Sequence, residues 1–525
     1  MTTLKYHPAT DETLQRVATA LETMVENAEL EWDADNERYT NRSVKAFIDS
    51  FADSDSYGVS IPMGSSTACT KLGANASIAA PTPGTIASPG TDPYASIPAF
   101  KTWNVNGYVD ADGTPHVTAI EGDGNFRLDG SNGNVWVMAP VLYYAASVSG
   151  SNELLYVSKT RLQGMKPQPG ALLPDGTQRP YMLYAKYAGG MYGSSYASVS
   201  GVPSVAYPET SVSHDALITL CKNATTGYAG KSYADDWYVK AMFLLKYATK
   251  HSQSVMAGCT SYHYTYACTV SESNVKRIII SATDAANLVV GSCVSLGTGT
   301  DKNVAATRSV HAKAKILKIE AYNSSNSAVY LDTTATFSTT AGTTNLFTLP
   351  WFTGATDQVE GDGSPYSNSN GKEPFKLQNI ELAVGFTEVL GDVIVSSDGS
   401  SGWEICLNRD SRNEATSVTA NYTRTGKYLY SDTTDSWKYP LYPDFTCDLP
   451  FGSGYGASDS SGMCDGSYTN KKATSGTREW RGLGALTLGA DAGLFCVYAN
   501  GGLSAADWYI GSRLSAHGRK GCIAL

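Results

Sequence analysis

The residues of this chain that could do chemistry are few and poorly grouped. Gly227-Tyr-Ala-Gly230-Lys231-Ser232 ends as a phosphate-binding loop ends, with a lysine and a hydroxyl after a glycine. Such a loop also needs a leading glycine and a strand before it. Here the leading position is Thr225 and the preceding pattern is helical, so nucleotide binding is not expected. His251, Cys259, His263 and Cys268 supply soft donors, but their spacings of eight, four and five match no zinc-finger pattern, and no metal is expected. Glu-Gly-Asp-Gly occurs at 121–124 and 360–363, and Asp110-Ala-Asp112-Gly113 adds another acidic turn. Each offers too few oxygens for a calcium loop and reads as a plain turn. No G-x-S-x-G elbow is present and the seven histidines are dispersed, so no nucleophile–base pair assembles. The expectation is a protein that is not an enzyme and holds no cofactor.

The informative stretch lies at 478–515. It reads REWRGLGALTLGADAGLFCVYANGGLSAADWYIGSRLS. Large apolar residues recur in it: Leu483, Leu486, Leu494, Phe495, Val497, Leu503, Trp508, Ile510 and Leu514. These can fill a core, and the glycines between them permit tight turns between short strands. Small, polar and tyrosine residues occupy the remaining positions.

That frame, WRGLG…LGA-x-AGLF…LS…W-x-IGSRLS, resembles the variable C-terminus of diversity-generating-retroelement target proteins. The stretch 99–188 is, less specifically, similar to other phage tail proteins of the same fold. The resemblance implies a C-type-lectin-like domain of the formylglycine-generating-enzyme type, and a phage tail receptor-binding protein that is often trimeric. It implies a fixed scaffold of Trp480, Leu494, Phe495, Trp508, Ile510 and Arg513. Between them, Ala485, Thr487, Leu488, Asp491, Tyr498, Asn500, Gly501, Ala505, Asp507 and Tyr509 match the diversified slots. Their side chains are expected to project to solvent and contact a bacterial surface receptor, as the interchangeable contacts of a paratope do. Alternatively they are ordinary loop residues of a fixed domain.

The chain also departs from these families. The Glu-Pro-Asn and Gln-Pro-Asp triplets of calcium-dependent lectins are absent, and Cys496 and Cys522 lie too far apart to match the enzymes' close cysteine pair. Two other readings therefore stand beside adhesion: an enzyme on the same fold, or a structural tail or baseplate protein that touches only other virion proteins. A paired reactive cysteine or two close carboxylates would favour the first. Burial of Tyr498 and Tyr509 against another subunit would favour the second.

The elements that would position this segment follow from periodicity. Leu14, Val17, Leu21, Met24 and Ala28 form a short heptad seam, either an oligomer contact or a locally packed helix. Val44, Phe47, Ile48 and Phe51 make a second helical stripe. Residues 1–63 thus read as a helical attachment segment, and 64–98, rich in Ser, Thr, Ala, Pro and Gly, as a linker. Strands are expected over 100–109 and 135–145. Helices are expected over 215–221, capped by Ser213, and 234–250, with Trp237, Ala241, Leu244, Leu245 and Ala248 inward. Between 259 and 350 short strands (277–281, 288–290, 314–319 and 328–331) suggest an inserted β-barrel or sandwich. Helix-and-loop sequence is expected again from 372 onward. The fold class expected is α+β: a lectin-like domain in two parts, 99–258 and 351–525, with an inserted all-β unit and an N-terminal helical segment.

Composition narrows the partners. Among 525 residues there are 50 Gly and 33 Tyr, only 17% are charged, and the formal net charge is -10. No basic block exists to displace counterions, so nucleic acid is not expected as a partner. Residues 1–30 contain no apolar run able to insert in a membrane. The ten cysteines include no CxxC pair and read as small buried hydrophobes of a chain made in a reducing cytosol. The expected setting is a virion tail, with other tail proteins as neighbours and a homotrimer as the assembly.

Overall fold

Runs of β-branched and aromatic residues between glycine turns make this chain a stack of small antiparallel sheets. The structure is a computed structural model and describes residues 30–517, apart from 174, 205–206, 209, 225–227 and 409–420. The heptad seam from Leu14 to Ala28 lies outside the described residues. Strand takes 39% of the residues and helix 12%. The expectation of an α+β fold with an N-terminal helical segment is thereby overturned, and the fold is mainly β.

The first half builds two sheets. One runs in the order Lys166–Pro167, Tyr143–Ser149, Asn152–Ser158, Tyr57–Pro62 and Thr70–Gly73. The other runs Ala229–Gly230, Leu514–Ser515, Met182–Ala185, Asn134–Ala139, Trp103–Val109 and Pro115–Ile120, so the end of the chain is threaded between strands from its first half. The apolar run 135–145 is two strands, not one, broken at Pro140, which cannot donate to a ladder.

Three helices pack on these sheets. α1 (Asn41–Ser50) starts where the Thr40 side chain accepts from the Ser43 amide, and it buries Val44, Phe47 and Ile48 as the stripe predicts. α2 (His214–Ala224) has the Ser213 hydroxyl accepting from the Ala216 amide at 3.2 Å. α3 (Tyr233–Tyr247) is closed by a reciprocal box between Ser232 and Asp235, and every one of its residues is buried.

Residues 64–98, expected as a linker, pack against the body. Tyr94 is fully buried, and its hydroxyl donates to Asn75 Oδ1 at 2.6 Å. Asn75 in turn donates to the carbonyls of Gly58 and Leu245. Small residues here allow close approach instead of slack chain: a Cβ on Gly84 would lie 2.4 Å from the Gly90 nitrogen.

The insert forms a six-stranded sheet in the order Thr265–Ala267, Asn345–Leu349, Cys293–Gly297, His311–Ala321, Asn326–Leu331 and Arg277–Ser281. The strand expected over 288–290 is a turn instead. The insert has no separate core, because its apolar residues share one cluster with Val384, Phe386, Leu486 and Trp508 of the body.

The largest correction concerns the region from 372 onward. Instead of helix and loop it supplies an eight-stranded sheet: β1 (Thr387–Asp398), β2 (Trp403–Asn408), β3 (Tyr422–Leu429), β4 (Ser436–Lys438), β5 (Ser467–Thr469), β6 (Ser475–Gly482), β7 (Val497–Ala499) and β8 (Ile510–Gly511). The order is β3-β2-β1-β6-β7-β5-β4, with β8 beside β1. β1 and β2 are buried on both faces over most of their length, so they show no polar alternation from which a strand could be read.

Candidate functional site

The terminal segment is anchored throughout the molecule. Trp480, Val497 and Ala499 enter one hydrophobic cluster; Leu483, Leu494 and Phe495 a second; Leu486 and Trp508 a third; Ile510 and Leu514 a fourth; Leu503 a fifth. Each of the larger side chains contributes about 1.5–3 kcal/mol by burial. All six expected scaffold residues are buried: Trp480, Leu494, Phe495, Trp508, Ile510 and Arg513. Arg513 does so as a charge, donating to both oxygens of Glu388.

Strand period then decides which residues face outward. On β7, Val497 and Ala499 point into the core, so Tyr498 between them points away. On β6, Trp480 points inward and Arg481 to the face that Tyr498 occupies. Pairing extends the row across four strands: Arg481 opposite Tyr498, Tyr498 opposite Tyr468 on β5, Tyr468 opposite Trp437 on β4. The Arg481 guanidinium lies over the Tyr498 ring at 4.5 Å. Tyr468 stacks on the other side at 5.2 Å and 16°, and Trp437 meets both tyrosines at 5.2 and 5.5 Å. Tyr498 is thus fixed on both ring faces, with its edge left toward solvent. Contacts of this kind add about 0.5–1.5 kcal/mol each and restrict the rotamer.

Around Arg481 the other expected positions gather. Asn500 Oδ1 accepts from Arg481 Nη2 at 3.3 Å. The charge of Arg481 also reaches Asp507 and Tyr509. Burial pushes the Asp507 carboxyl up, while hydrogen bonds from the Asn303 side chain, the Trp508 amide and the Tyr509 hydroxyl act the other way. Burial pushes the Tyr509 phenol up to about 12. Beneath them Glu479 pairs with Arg481 at 3.2 Å, and burial raises its carboxyl to about 7 against the opposing charge of Arg481. The first turn of α2 holds this floor, with the His214 amide donating to Glu479 and the Asp215 amide to the Leu503 carbonyl.

Thr487, Leu488 and Asp491 form a second lobe. Thr487 is exposed, and Leu488 and Asp491 are half-buried. The Tyr439 hydroxyl donates to Asp491. Trp437 lies between the lobes, against Gly466, whose amide donates to the Asp491 carbonyl at 2.9 Å. Ala505 is half-exposed in the loop between them and β8.

Two expected positions do not fit. Ala485 has no exposed surface and belongs to the frame, because Leu486 beside it is held by the Gly385 carbonyl. Gly501 reaches solvent, but a Cβ there would lie 2.7 Å from both Arg481 Nη2 and Glu479 Oε1. Gly501→Ala is expected to cost about 1–3 kcal/mol in urea denaturation, as an overpacked site does, and Ala505→Ser under about 0.5 kcal/mol.

Trp437, Tyr468, Tyr439, Arg481 and Asn303 were not singled out from sequence. Three of them lie outside 478–515 in the strand and loop region 437–468, and the parallel β5–β7 pairing that brings Tyr468 to Tyr498 leaves no local signal. Lys231 is buried between Asp236 and Glu388 at 3.1 and 2.9 Å, His263 stacks on Trp508, and Asp362 accepts from Tyr247 and Gln378. Among the described residues no group of three His, Cys, Asp or Glu could hold a metal ion, and Cys69, Cys259, Cys268, Cys406, Cys447, Cys464 and Cys496 are free thiols. No helix of the described residues is long and apolar enough to cross a membrane. No protein-family model matches the chain, and no curated protein matches it.

Proposed function

We propose that this chain is a phage tail receptor-binding protein, not an enzyme, and that its 478–515 segment displays a diversified contact surface for a bacterial surface molecule. One observation carries the reading. The frame of the segment is sunk into all five hydrophobic clusters of the described residues, while Thr487, Leu488, Asp491, Tyr498, Asn500, Ala505, Asp507 and Tyr509 all reach solvent, Tyr509 also leaning on two of the clusters. A scaffold so anchored tolerates exchange at those eight positions, which is what retroelement-driven variation requires. Tyrosine, aspartate, asparagine and small residues are also the adaptable contacts of a paratope. Copies assembled as a homotrimer among other tail proteins on the virion would multiply a weak single contact by avidity.

The test compares the purified wild-type protein with a Tyr498→Ala, Asp507→Ala, Tyr509→Ala variant on bacterial cells that the wild type labels. Attachment is expected to fall about tenfold or more, with thermal unfolding little changed. Equal attachment overturns the reading. The surrounding DNA gives an independent check: a near-copy of the 478–515 codons, with adenines at the eight named codons, beside a reverse transcriptase gene.

A further inference from the structure

The insert touches the terminal segment near Leu486 and Gly489, through the Tyr262 amide at 3.0 Å and the Thr260 carbonyl at 2.8 Å, and again at Trp508. Its 301–308 loop leaves the strand Cys293–Gly297 and turns back as a single 3-10 turn. Within it Asn303 Oδ1 accepts from the Trp508 amide at 3.0 Å, which sets the Asn303 side chain beside the Asp507 carboxyl. The next residue back, Lys302, lies over the Trp508 indole at 4.4 Å, and His263, from the start of the insert, stacks against the same ring at 5.3 Å. Asn303 is itself fixed, its amide donating to Asp301 Oδ1 at 2.9 Å. The loop of residues 503–509 has little else of this kind. Its ends are tied at Leu503 and Ile510, the Tyr509 carbonyl accepts from the Thr387 amide at 2.9 Å, and the rest of the backbone between makes short turn bonds.

We propose that the insert is a clamp on the receptor surface, with Asn303 as a positioning residue that holds Asp507 and Tyr509 beside Arg481. The receptor in this statement rests on the function proposed above; the clamp rests on contacts within the chain. An amide is the side chain suited to the place. It accepts from the Trp508 N–H with its oxygen, and its nitrogen places a donor, not a charge, beside Asp507. Asn303 lies outside the segment whose slots vary, so it grips the loop by the Trp508 backbone whatever the neighbouring side chains are.

Asn303→Asp keeps the acceptor and the volume but sets a second carboxylate against Asp507. The charged and titratable groups facing that pair are Arg481 and Tyr498 from the sheet, Tyr509 from the loop, and Asp301, Lys302 and His263 from the insert. One cation of the sheet cannot neutralise two carboxylates, and a proton shared between them restores a donor. The experiment is hydrogen–deuterium exchange on the full chain at pH 8 and pH 5, compared as protection factors. In Asn303→Asp, protection over 503–510 is expected to drop about tenfold at pH 8, the equivalent of one lost hydrogen bond, and to recover largely at pH 5. Asn303→Ala should lose it at both pH values. Protection over Thr387–Asp398 should stay unchanged in both variants. An unchanged 503–510 segment, or an equal loss over Thr387–Asp398, overturns the clamp.

Attachment to cells then separates the two ideas. On cells that discriminate wild type from the triple alanine variant, Asn303→Asp should bind about tenfold less at pH 8 than at pH 5, relative to wild type. Unchanged attachment overturns the positioning role and leaves the receptor surface standing. Cells that treat wild type and the triple variant alike overturn the receptor surface, while the exchange result still decides the clamp.

Discussion

Replacing Glu388 with glutamine lowers the free energy of unfolding by about 3–5 kcal/mol in urea denaturation at pH 7. Glu388 on β1 stands between two buried cations. Lys231 touches its Oε2 at 2.9 Å, and Arg513 donates to both of its oxygens. Lys231 also meets Asp236, which is paired with Lys240 on the next turn of α3. The five side chains carry three positive and two negative charges, all buried. Removing one negative charge leaves Arg513 with one amide oxygen and the Ala185 and Glu381 carbonyls, all neutral acceptors, and turns an amide NH2 toward a cation. A neutral amide of equal volume leaves no cavity, so the loss is electrostatic.

The same substitution changes the acid limb of the stability curve. Burial pushes the Glu388 carboxyl up, but Arg513 and Lys231 outweigh it and the folded value lies below the ordinary one. Asp235, held by His517, and Asp236, held by Lys240 and Lys231, are lowered against burial in the same way. A depressed carboxyl stabilises above its unfolded pKa, and that contribution is lost as pH falls through the folded value. Wild type should therefore weaken below about pH 4, and Glu388→Gln should weaken less steeply there. A loss under about 1 kcal/mol at pH 7 would mean that the network is neutralised in another way. The effect bears on the site, because Glu388 pairs with Gly511 on β8, directly after the loop that carries Asp507 and Tyr509.

How much of this was legible in the sequence depended on whether the cause was local. The cap at Ser213 was readable because it lies within three residues of what it satisfies; one inward face on α3 was not the outcome, since the helix is buried all round and Ala248 ends it as a left-handed cap. Five of the six frame residues were readable because large apolar side chains between glycines have few places to go but inside, whereas Arg513, a buried charge, was expected from the resemblance alone. β1 and β2 were not, since a strand buried on both faces loses the alternation that marks it. Ala485 was misplaced because a methyl group is compatible with either side of the surface, and burial is decided by what packs above it. The Arg481–Tyr498–Tyr468–Trp437 row joins residues more than sixty positions apart through a parallel pairing, and nothing along the chain announces that register.

Asp465→Asn is expected to raise stability by about 1–2 kcal/mol at pH 5 and by about 4–5 kcal/mol at pH 8. Asp465 is wholly buried beneath the turn that leads into β7. Its Oδ2 accepts from the Phe495 amide and the Ser252 hydroxyl, both at 2.8 Å, and Ser252 in turn accepts from the Leu494 amide. Its Oδ1 has no hydrogen-bond partner. A Cβ on Gly493 would lie 2.2 Å from that oxygen, and Gly493 has a φ of 136°, which is why the frame carries glycine here. Burial pushes the carboxyl up to about 8, against the two hydrogen bonds and the charge of Lys240. The folded value lies above the unfolded one, so the native state holds a proton that the unfolded chain gives up above about pH 4. Stability then falls by up to about 1.4 kcal/mol per pH unit until the native carboxyl ionises near pH 8. Asparagine reproduces the neutral form, keeps one oxygen for Phe495 and Ser252, and removes that slope. Glu153, Glu381 and Glu479 are raised by burial in the same direction and keep part of the alkaline decline in both proteins, so the difference between the two curves isolates Asp465. Thermal unfolding at half-unit steps from pH 4 to pH 9 reads it directly: parallel curves would mean that Asp465 is already ionised at neutral pH and that the turn beneath Tyr498 is held by a charge.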